Sequence, residues 1–557
     1  MTDHVHHKTI AQPQPAAART ASSFLARNEF LIPLGLFVVF LAATLPGIAW
    51  GEWHPDEVAI RAIKALHGEW QIGEVNFDYP LLPQYVVYGL GRILLAYGYT
   101  DSEILVAARV LSAGMAGLTV VLTYFLARRA GAGILTAGLS GLFLLCVTEL
   151  AHHGRFAHND TYVIFFTTLS ILMLVQYHNE GHRGWLYAAF FTVGLAASSK
   201  YIGGSLLLAP AAYFLFSQRK SFRGNLFSTA ETIFIGGALT FLGYAAGSPK
   251  ALFWMTYYFK RVFTALQWQI EYGHTPGSVR GLIGQYRVLF DGLGAMIFIL
   301  FAAGFLWACY RVFQAWRNRS FRQGSRAGIF AVLLLALLAL DLPMLVSYNY
   351  QFRYFLTVLP ILAIFSAFLV ERIYAWAVAS GKPLYPNLII AGVALIVLFS
   401  FARLASLALL FLNDARFSAS DFIRTLPKGT SLEHTSYHPN IPSEHFEREH
   451  NYPVYFLRSI NDEVPTSDRY KFNAGEAGLD ERETDYFLVD SFTQSKFEDP
   501  YTCSINPVEC SFFEQLAGGG SDHYKLIAEY SYRLPELLPQ ISVEYVNPAI
   551  RVYERIE

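Results

Sequence analysis

The segment that decides how this chain is interpreted reads WGEWHPDE, residues 50–57, and it follows directly on the first long apolar run. A second segment, FDYPLLP, occupies residues 77–83. Both place carboxylates among aromatic residues and prolines near the bilayer surface, where Trp and Tyr are enriched. Charged side chains at a membrane are costly and therefore mark candidate functional sites. The two segments predict a site at the membrane surface that acts on a substrate anchored in lipid.

The composition is that of an integral membrane protein. Of the 557 residues, 54% are hydrophobic and only 15% are charged, whereas soluble domains carry about 25% charged residues. The net charge of -1 gives no indication of nucleic-acid binding. The sequence has no Walker motif, no dinucleotide-binding fingerprint and no Cys/His spacing typical of zinc. These features argue against ATP-driven transport.

About eleven apolar runs reach or approach the length needed to span a bilayer. Ahead of them, residues 1–29 are polar and predict a disordered cytoplasmic tail. We therefore predict an all-α, polytopic membrane module over residues 30–412, with a first outer loop over residues 51–103. The apolar runs cover residues 30–50, 104–127, 132–150, 158–177, 184–199, 201–217, 230–247, 292–315, 327–347, 354–371 and 388–411.

The distribution of Lys and Arg among the loops indicates the orientation, because cytoplasmic loops carry an excess of these residues. Placing the basic loops in the cytoplasm puts the N-terminus inside and the first outer loop outside. The expected location is an inner or plasma membrane, with an extracytoplasmic active site. The basic loops are those around residues 128–129, 183, 219–223, 311–326 and 372–382.

From Asn413 the chain becomes polar, and its hydrophobic stretches shorten to the length of strands. Residues 413–557 therefore predict a small α/β domain, which is extracytoplasmic by the orientation above. This domain contains Cys503 and Cys510, which can form a disulfide in such a compartment. The sequence leaves open whether they are bridged.

In this topology the charged residues of the membrane module concentrate at the outer face. Charges placed at random on apolar segments would spread over both faces, so their shared location supports a functional role. The residues are Asp56, Glu57, Asp78, Arg109, Arg155, Asp160, Lys200, His274, Arg280 and Arg353.

The carboxylates of the first outer loop also have simpler interpretations. Asp56 and Glu57 are adjacent and should point apart, so they are not expected to act as one dyad. Either can cap the helix predicted from Val58. Asp78 can form an Asx-turn within its Phe-Asp-Tyr-Pro sequence.

The later charged residues have alternatives of the same kind. Arg155 and Asp160 can pair across a helix end. Lys200 and Arg353 lie near tyrosines at the bilayer surface, where a fixed cation suits the phosphate of a lipid substrate. The simpler interpretation is that both snorkel to ordinary phospholipid headgroups.

Seven motifs in chain order resemble one family. They are HPDE (54–57), FDYPLLP (77–83), ARVLS (108–112), RFAHND (155–160), GLAASSKY (194–201), FRYFLTVLP (352–360), and DAR with FIRTLPKG (414–416 and 422–429). Together they resemble the C superfamily of glycosyltransferases (GT-C), in particular its protein O-mannosyltransferase-like branch, family 39, which also contains the aminoarabinose transferase acting on lipid A. The resemblance covers about residues 30–430.

The resemblance implies a membrane glycosyltransferase that moves a sugar from a polyprenyl- or dolichyl-phosphate donor in one inverting displacement, with Asp56 as the leading general base. No cofactor is certain, and a divalent metal held by His274 is one option. By the same resemblance the catalytic group comprises Asp56, Glu57 and Asp78, the contacts to the donor phosphate Arg109, Lys200, Arg353 and Tyr354, and the pocket Arg155, Asp160, Tyr201 and Arg280.

The acceptor stays open between a glycan, a lipid and a protein. Protein mannosyltransferases usually carry a β-trefoil insertion in a mid-chain outer loop, and residues 248–291 are too few to hold one. The alternative function is a secondary transporter or flippase of a lipid-linked substrate, which predicts inverted repeats and charges near the bilayer midplane. A receptor that binds a ligand through its outer domain would leave the first-loop carboxylates unexplained.

Overall fold

The computed structural model describes residues 29–52, 54, 56–72, 79–218, 226–271, 282–318, 324–347, 351–452, 457 and 475–556. Apart from Glu29, the predicted cytoplasmic tail lies outside these residues. The described chain is helical as far as Leu412 and continues into a mixed domain with a five-stranded sheet. The predicted fold class, a helical membrane protein with a small C-terminal α/β domain, is confirmed.

The membrane module is a series of helices joined by short loops. Short 3₁₀ helices at Tyr201–Leu207, Pro249–Leu252 and Phe352–Val358 precede α9, α11 and α15. The α-helices are α1 (Leu31–Thr44), α2 (Val58–Leu66), α3 (Leu82–Ala96), α4 (Asp101–Arg129), α5 (Ile134–Leu145), α6 (Thr148–Gly154), α7 (Asn159–Glu180), α8 (Arg183–Ser199), α9 (Leu208–Gln218), α10 (Leu226–Gly247), α11 (Met255–Glu271), α12 (Leu282–Leu293), α13 (Ala295–Arg317), α14 (Arg326–Val346), α15 (Leu359–Ala379) and α16 (Leu384–Leu412).

Within the described residues, 7 helical segments are long and apolar enough to cross a membrane. Helices α5 and α6 form one further span if they are taken together, and they are bent by 63°. The chain is therefore a multi-pass membrane protein, while the total of about eleven crossings stays a prediction. The 7 segments are Asp101–Arg129, Asn159–Glu180, Leu226–Gly247, Ala295–Arg317, Arg326–Leu345, Phe352–Ala379 and Leu384–Ile423.

Helix α4 begins and ends as its sequence requires. The Thr100 hydroxyl accepts a hydrogen bond from the Glu103 amide, and the Glu103 carboxylate accepts one from the Thr100 amide at 2.8 Å. This reciprocal capping box satisfies amides that the first turn leaves unpaired. At the other end, Arg128 and Arg129 lie in the last turn, where the helix dipole favours cations.

Close packing between α8 and α10 depends on two glycines. A Cβ on Gly194 would overlap the carbonyl oxygen of Thr240, and a Cβ on Gly243 would overlap that of Phe191. Only glycine allows the two backbones to approach this closely, as is common between membrane helices. The contact holds the C-terminal end of α8, and with it Lys200, in place against the bundle.

The C-terminal domain is built on one mixed sheet in the order β2-β1-β3-β5-β4. Strand β1 runs parallel to both β2 and β3, and β5 is antiparallel to both β3 and β4. A disulfide joins Cys503 to Cys510. The elements are α17 (Ala415–Ile423), β1 (Ser431–His434), β2 (Arg448–Asn451), α18 (Gly475–Glu481), β3 (Tyr486–Asp490), α19 (Ser491–Gln494), α20 (Pro500–Ile505), α21 (Pro507–Ala517), β4 (Tyr524–Tyr530) and β5 (Ile550–Arg555), with 3₁₀ helices at Ser443–His445 and Ser495–Phe497.

Asp414 anchors this domain to the membrane module. One of its oxygens, Oδ2, accepts from the indole of Trp50 at 3.1 Å, from the Arg416 guanidinium at 2.8 Å and from the Asn547 amide at 2.7 Å. The carboxylate is 1% exposed, and a buried charge needs such partners. Because Trp50 directly precedes the predicted first outer loop and Asn547 lies near the end of the chain, Asp414 brings those two segments together.

Candidate active site

Asp56 lies at the centre of those residues, predicted for the outer face, that the structure brings together. Its Oδ2 accepts a hydrogen bond from the Arg353 guanidinium at 2.7 Å, and its Oδ1 accepts one from the Tyr79 hydroxyl at 3.1 Å. Its amide donates to Nδ1 of His54 at 3.0 Å, which fixes the turn ahead of α2. Segments from three places along the chain therefore converge on one carboxylate.

A second carboxylate, Asp160 in the first turn of α7, is linked to the first. Lys200 donates to its Oδ1 at 2.5 Å, and Nδ1 of His158 lies against its Oδ2. The Nε2 atom of His158 is 3.5 Å from the Arg353 guanidinium. His158 thus connects the Asp160–Lys200 pair to the Asp56–Arg353 pair.

The ring of Tyr354 lies against both cations. The Lys200 ammonium is 4.4 Å from the ring centroid and the Arg353 guanidinium carbon is 5.6 Å from it, within the range of cation–π attraction. Two cations held side by side suit an anionic oxygen group such as a phosphate. We call the following residues the outer-face cluster: Asp56, Tyr79, His158, Asp160, Lys200, Arg353 and Tyr354.

Three loop residues in and beside the cluster have shifted pKa values that fix their protonation. Burial raises the pKa of the Asp56 carboxyl, but Arg353 and His158 outweigh it and hold the pKa well below its usual range. Burial, and then the charge of Asp56, raise the pKa of the Tyr79 hydroxyl. Burial, and then His158, lower the pKa of His54 well below its usual value. Asp56 is therefore an anion that accepts from a neutral phenol, beside a neutral imidazole.

Glu57, the neighbour of Asp56, has a different environment. It forms a two-point ion pair with Arg109, with both contacts at 2.8 Å, and the side chains are 0% and 1% exposed. It also accepts from the amides of Ala157 at 2.9 Å and His54 at 3.1 Å. Its extended backbone precedes α2 without a capping hydrogen bond from its side chain. Glu57 therefore joins the first outer loop to the segment before α7.

Arg109 uses all five N–H donors of its guanidinium in this contact. Besides the two bonds to Glu57, it donates to the backbone carbonyls of Trp50 at 2.6 Å, Glu52 at 2.7 Å and Ile48 at 3.4 Å. These bonds leave no donor for a substrate phosphate. We therefore assign Arg109 and Glu57 to holding the loop, and not to the roles in phosphate binding and catalysis that the sequence predicts.

Arg155 is likewise committed to the protein backbone. Its guanidinium donates to the carbonyls of Ala43 at 2.9 Å and Ala151 at 3.2 Å and lies 5.1 Å from the ring centroid of Phe411. It is 1% exposed. The ion-pair partners of Asp160 are Lys200 and His158, so the predicted pairing with Arg155 is absent from the described residues. We assign Arg155 to packing behind the pocket.

The remaining predicted residues fall in two groups. Tyr201 opens the 3₁₀ helix immediately after Lys200 and is half-buried, so it lies beside the outer-face cluster. Asp78, His274 and Arg280 lie outside the described residues. Their expected roles in catalysis, metal binding and the pocket stay predictions.

The C-terminal domain adds an aromatic wall that the sequence did not indicate. The ring centroid of Tyr545 is 4.2 Å from that of His54 and 5.3 Å from that of Tyr437. Tyr545 and Asn547 have positive φ angles, 67° and 57°, a conformation that is rare for residues with side chains and that tends to occur at functional sites. The strained turn brings Tyr545 against the loop that carries Asp56.

The described residues contain one group with the geometry of a metal site. Glu149, His152 and His153, all on α6, each offer a ligand atom, and these atoms lie within 4.8 Å of one another. The rings of His152 and His54 both pack on Phe156, at 5.3 Å and 4.7 Å between centroids. The group is therefore one aromatic ring away from the loop that carries Asp56.

Comparison with known proteins agrees with this architecture. Residues 31–264 match the family model of dolichyl-phosphate-mannose-protein mannosyltransferases. No curated protein sequence matches the chain significantly.

Two solved structures have similar folds over almost their whole length. One is the oligosaccharyltransferase AglB from Archaeoglobus fulgidus, in complex with an inhibitory peptide and a dolichol-phosphate, with 11% identity, a TM-score of 0.54, and coverage of 96% of this chain and 89% of that one. The other is ArnT from Cupriavidus metallidurans bound to undecaprenyl phosphate, with 14% identity, a TM-score of 0.51, and coverage of 97% and 98%. The chain thus shares its fold with these two proteins, and the match over residues 31–264 confirms the resemblance to protein O-mannosyltransferases that the sequence motifs indicate.

Proposed function

We propose that this protein is a membrane glycosyltransferase that takes a sugar from a polyprenyl- or dolichyl-phosphate donor at the extracytoplasmic face. The observation that carries the proposal is the Asp56 carboxylate, ion-paired to Arg353 at 2.7 Å and still 23% exposed. An ionised base at the edge of a pocket that also holds two cations has the parts that sugar transfer from a phosphate requires.

Lys200 and Arg353 are the proposed contacts to the donor phosphate. They come from different segments and are held side by side by the Tyr354 ring. Each now balances a carboxylate, Asp160 or Asp56. The bridging phosphate oxygen gains negative charge as its bond to the sugar breaks, and positioned cations stabilise that charge. The proposed donor also agrees with the dolichol-phosphate and undecaprenyl phosphate bound by the two proteins of similar fold.

Asp56 is the proposed general base. An acceptor hydroxyl attacks the anomeric carbon and forms the new C–O bond, the bond to the phosphate oxygen breaks, and Asp56 takes the proton of the hydroxyl. The electron pair leaves with the lipid phosphate. A single displacement of this kind inverts the anomeric configuration.

Donor binding is expected to make Asp56 a better base. Its pKa is depressed because Arg353 and His158 outweigh the effect of burial, and a carboxylate with so low a pKa removes protons poorly. A phosphate that binds Arg353 competes with Asp56 for the same guanidinium. The competition weakens the ion pair and raises the basicity of Asp56 only when the donor is present.

The C-terminal domain is proposed to form the acceptor side of the pocket. Tyr545 lies against His54, and Nδ1 of His54 accepts a hydrogen bond from the Asp56 amide. Aromatic faces bind the apolar faces of sugar rings as well as lipid and peptide chains. This assignment leaves the acceptor open between a glycan, a lipid and a protein.

The test is turnover of lipid-phosphate sugars by purified protein in lipid nanodiscs. Each donor of a panel of polyprenyl-phosphate hexoses and pentoses is incubated with wild type, with Asp56→Asn and with Asp421→Asn. The last is a matched control, because Asp421 is an exposed carboxylate, also paired with an arginine, at 3.0 Å. The proposal predicts that wild type and control consume a donor and release lipid phosphate while Asp56→Asn does not.

Two results would contradict the proposal. Equal turnover by wild type and Asp56→Asn would remove Asp56 from the mechanism. Movement of an intact lipid-linked sugar across the bilayer, without cleavage of any donor, would favour the transporter or flippase.

A further inference from the structure

We propose that Glu149, His152 and His153 bind one divalent transition-metal ion of the Zn²⁺ type, close to the outer-face cluster but separate from it. Nothing in this inference depends on the proposed glycosyltransferase activity. It rests on the geometry of the three side chains and on their burial.

The geometry fits one small cation. The Glu149 Oε2 atom is 3.0 Å from His152 Nδ1 and 3.6 Å from His153 Nε2. Ligand atoms placed tetrahedrally about 2.0–2.1 Å from a zinc ion are about 3.3–3.4 Å apart. These two separations lie on either side of that value, and all three ligand atoms lie within 4.8 Å of one another, so rotations of the side chains would bring them around one ion.

Consecutive histidines can share a metal here because they use different ring nitrogens. On a helix, neighbouring side chains point about 100° apart. His152 offers Nδ1, close to its backbone, whereas His153 offers Nε2 at the far end of its ring. Glu149 lies three and four residues earlier, on the helical face that both rings reach.

Burial argues against an ordinary surface cluster. The side chains of His152 and His153 are 2% and 5% exposed, and that of Glu149 is 13% exposed.

The neighbouring cation does not occupy the site. Arg403 packs nearby, but its guanidinium donates hydrogen bonds to the Thr148 hydroxyl at 3.4 Å and the Gly292 carbonyl at 3.0 Å. Glu149 is therefore available as an anionic ligand. Two imidazoles, one carboxylate and one open position form a donor set that zinc commonly occupies.

The location suggests what the ion does. Helix α6 follows the 63° bend after α5, and His152 packs on Phe156, which also packs on His54. A metal on α6 would stiffen the segment that leads to Ala157, whose amide donates to Glu57. We infer a positioning role for the ion, since Asp56 and Asp160 already have their own cationic partners.

The test measures metal content and affinity directly. The protein is purified without a polyhistidine tag and with His4, His6 and His7 changed to alanine, because the N-terminal histidines would otherwise bind metal themselves. Metal is removed with a chelator, and Zn²⁺ is returned during calorimetric titration, with Co²⁺ as a spectroscopic probe of tetrahedral coordination. The expected result is one ion per chain and visible absorption typical of tetrahedral Co²⁺.

The variants test whether Glu149 and His152 are the residues that bind the ion. His152→Ala and the more conservative Glu149→Gln should each weaken Zn²⁺ binding by at least about 100-fold, since even changes beyond the direct ligands cost 10–100-fold. His178→Ala is the control, because His178 is a similarly buried histidine that bonds to the Tyr213 hydroxyl at 2.6 Å. Asp56→Asn and His274→Ala should bind Zn²⁺ as wild type does.

The inference is overturned if wild type binds no ion, or if Glu149→Gln and His152→Ala bind as tightly as the control. Loss of binding in His274→Ala or Asp56→Asn, with the α6 variants unaffected, would assign the metal to a different site. Thermal unfolding of each variant shows whether a loss of binding is merely a loss of fold. If His152→Ala fails to fold, the result with Glu149→Gln decides.

Discussion

Asp56 and Glu57 are adjacent in sequence, and each forms an ion pair with an arginine, yet their surroundings differ. Glu57 and Arg109 are 0% and 1% exposed and satisfy one another together with neighbouring backbone groups. Asp56 is 23% exposed, and its arginine, Arg353, is shared with His158. A saturated buried pair can only hold structure, whereas a partly exposed carboxylate with a shared partner can exchange that partner for a substrate.

The largest expected effect is a loss of stability on removing Arg109, which distinguishes this arginine from Arg353. Arg109→Ala leaves Glu57 buried without its cation and should lower the free energy of unfolding by about 3–5 kcal/mol. Thermal unfolding in detergent measures the loss. The control is Arg424→Ala, which removes an exposed partner of Asp421 and should cost at most about 1 kcal/mol. Equal stability of Arg109→Ala and wild type would refute the structural role.

Unlike Arg109→Ala, the variant Arg353→Gln should lose activity and largely keep its stability. The variant removes a charged contact to the donor phosphate and should lower kcat/KM for the lipid donor by about 10- to 100-fold, in line with a charge-assisted hydrogen bond. Its melting temperature should change less than that of Arg109→Ala, because Asp56 is partly exposed and can be solvated. A collapse of stability with normal kinetics in the folded fraction would make Arg353 another structural residue.

Lys200→Gln tests whether the second cation acts on the same phosphate. We expect a fall of about tenfold in kcat/KM for the donor, and additive losses in the double variant with Arg353→Gln only if the two cations act independently. Steady-state kinetics over a range of donor concentrations gives both values. Strict additivity would argue against one shared phosphate, because groups that hold a common ligand couple.

Tyr545→Ala examines the acceptor side. The ring should contribute about 1 kcal/mol of packing and contact energy, so KM for the acceptor should rise by roughly fivefold while the donor KM stays constant. Tyr545→Phe keeps the ring and serves as the matched control. A rise in KM for the donor alone would contradict the assignment and place Tyr545 on the donor side of the pocket.

The smallest expected effect is in the pH profile. Arg353 and His158 outweigh burial and lower the pKa of Asp56 below its unfolded value of 3.8, so the charged form is favoured in the folded protein. Its contribution to stability is therefore present above the unfolded pKa and is lost only as pH falls through the lower folded pKa. Between pH 7 and about 5, kcat/KM should show no loss from protonation of Asp56. An acid limb in that range that disappears in Asp56→Asn would contradict this protonation state.

The sequence predicted the helical module and the C-terminal α/β domain because long apolar runs and short alternating stretches are local signals. It also selected Asp56, Asp160, Lys200 and Arg353, which the structure brings together. Their charge at a predicted membrane surface was sufficient to identify these residues as candidates. The shared signal also explains why Arg109 and Arg155 were included, since a buried structural arginine and a ligand-binding arginine look alike in sequence.

Two features depended on the tertiary structure. Tyr545 contacts His54 although the two residues are separated by nearly the whole chain, and the anchoring of Asp414 to Trp50 and Asn547 contributes to bringing them together. The histidines of α6 do not have the spacing of a familiar zinc motif, and the match between Nδ1 of one and Nε2 of the next appears only in three dimensions.

The most direct measurement compares Asp56→Asn and Glu57→Gln in the same preparation, scoring turnover of a lipid-phosphate sugar and melting temperature for each. The predicted result is a crossed pattern. Asp56→Asn should lose turnover by about 10²–10⁴-fold, as expected for a general base, and keep a melting temperature near that of wild type. Glu57→Gln should melt early, while its folded fraction still turns over. Normal turnover by Asp56→Asn, with catalysis lost in a fully stable Glu57→Gln, would contradict the account.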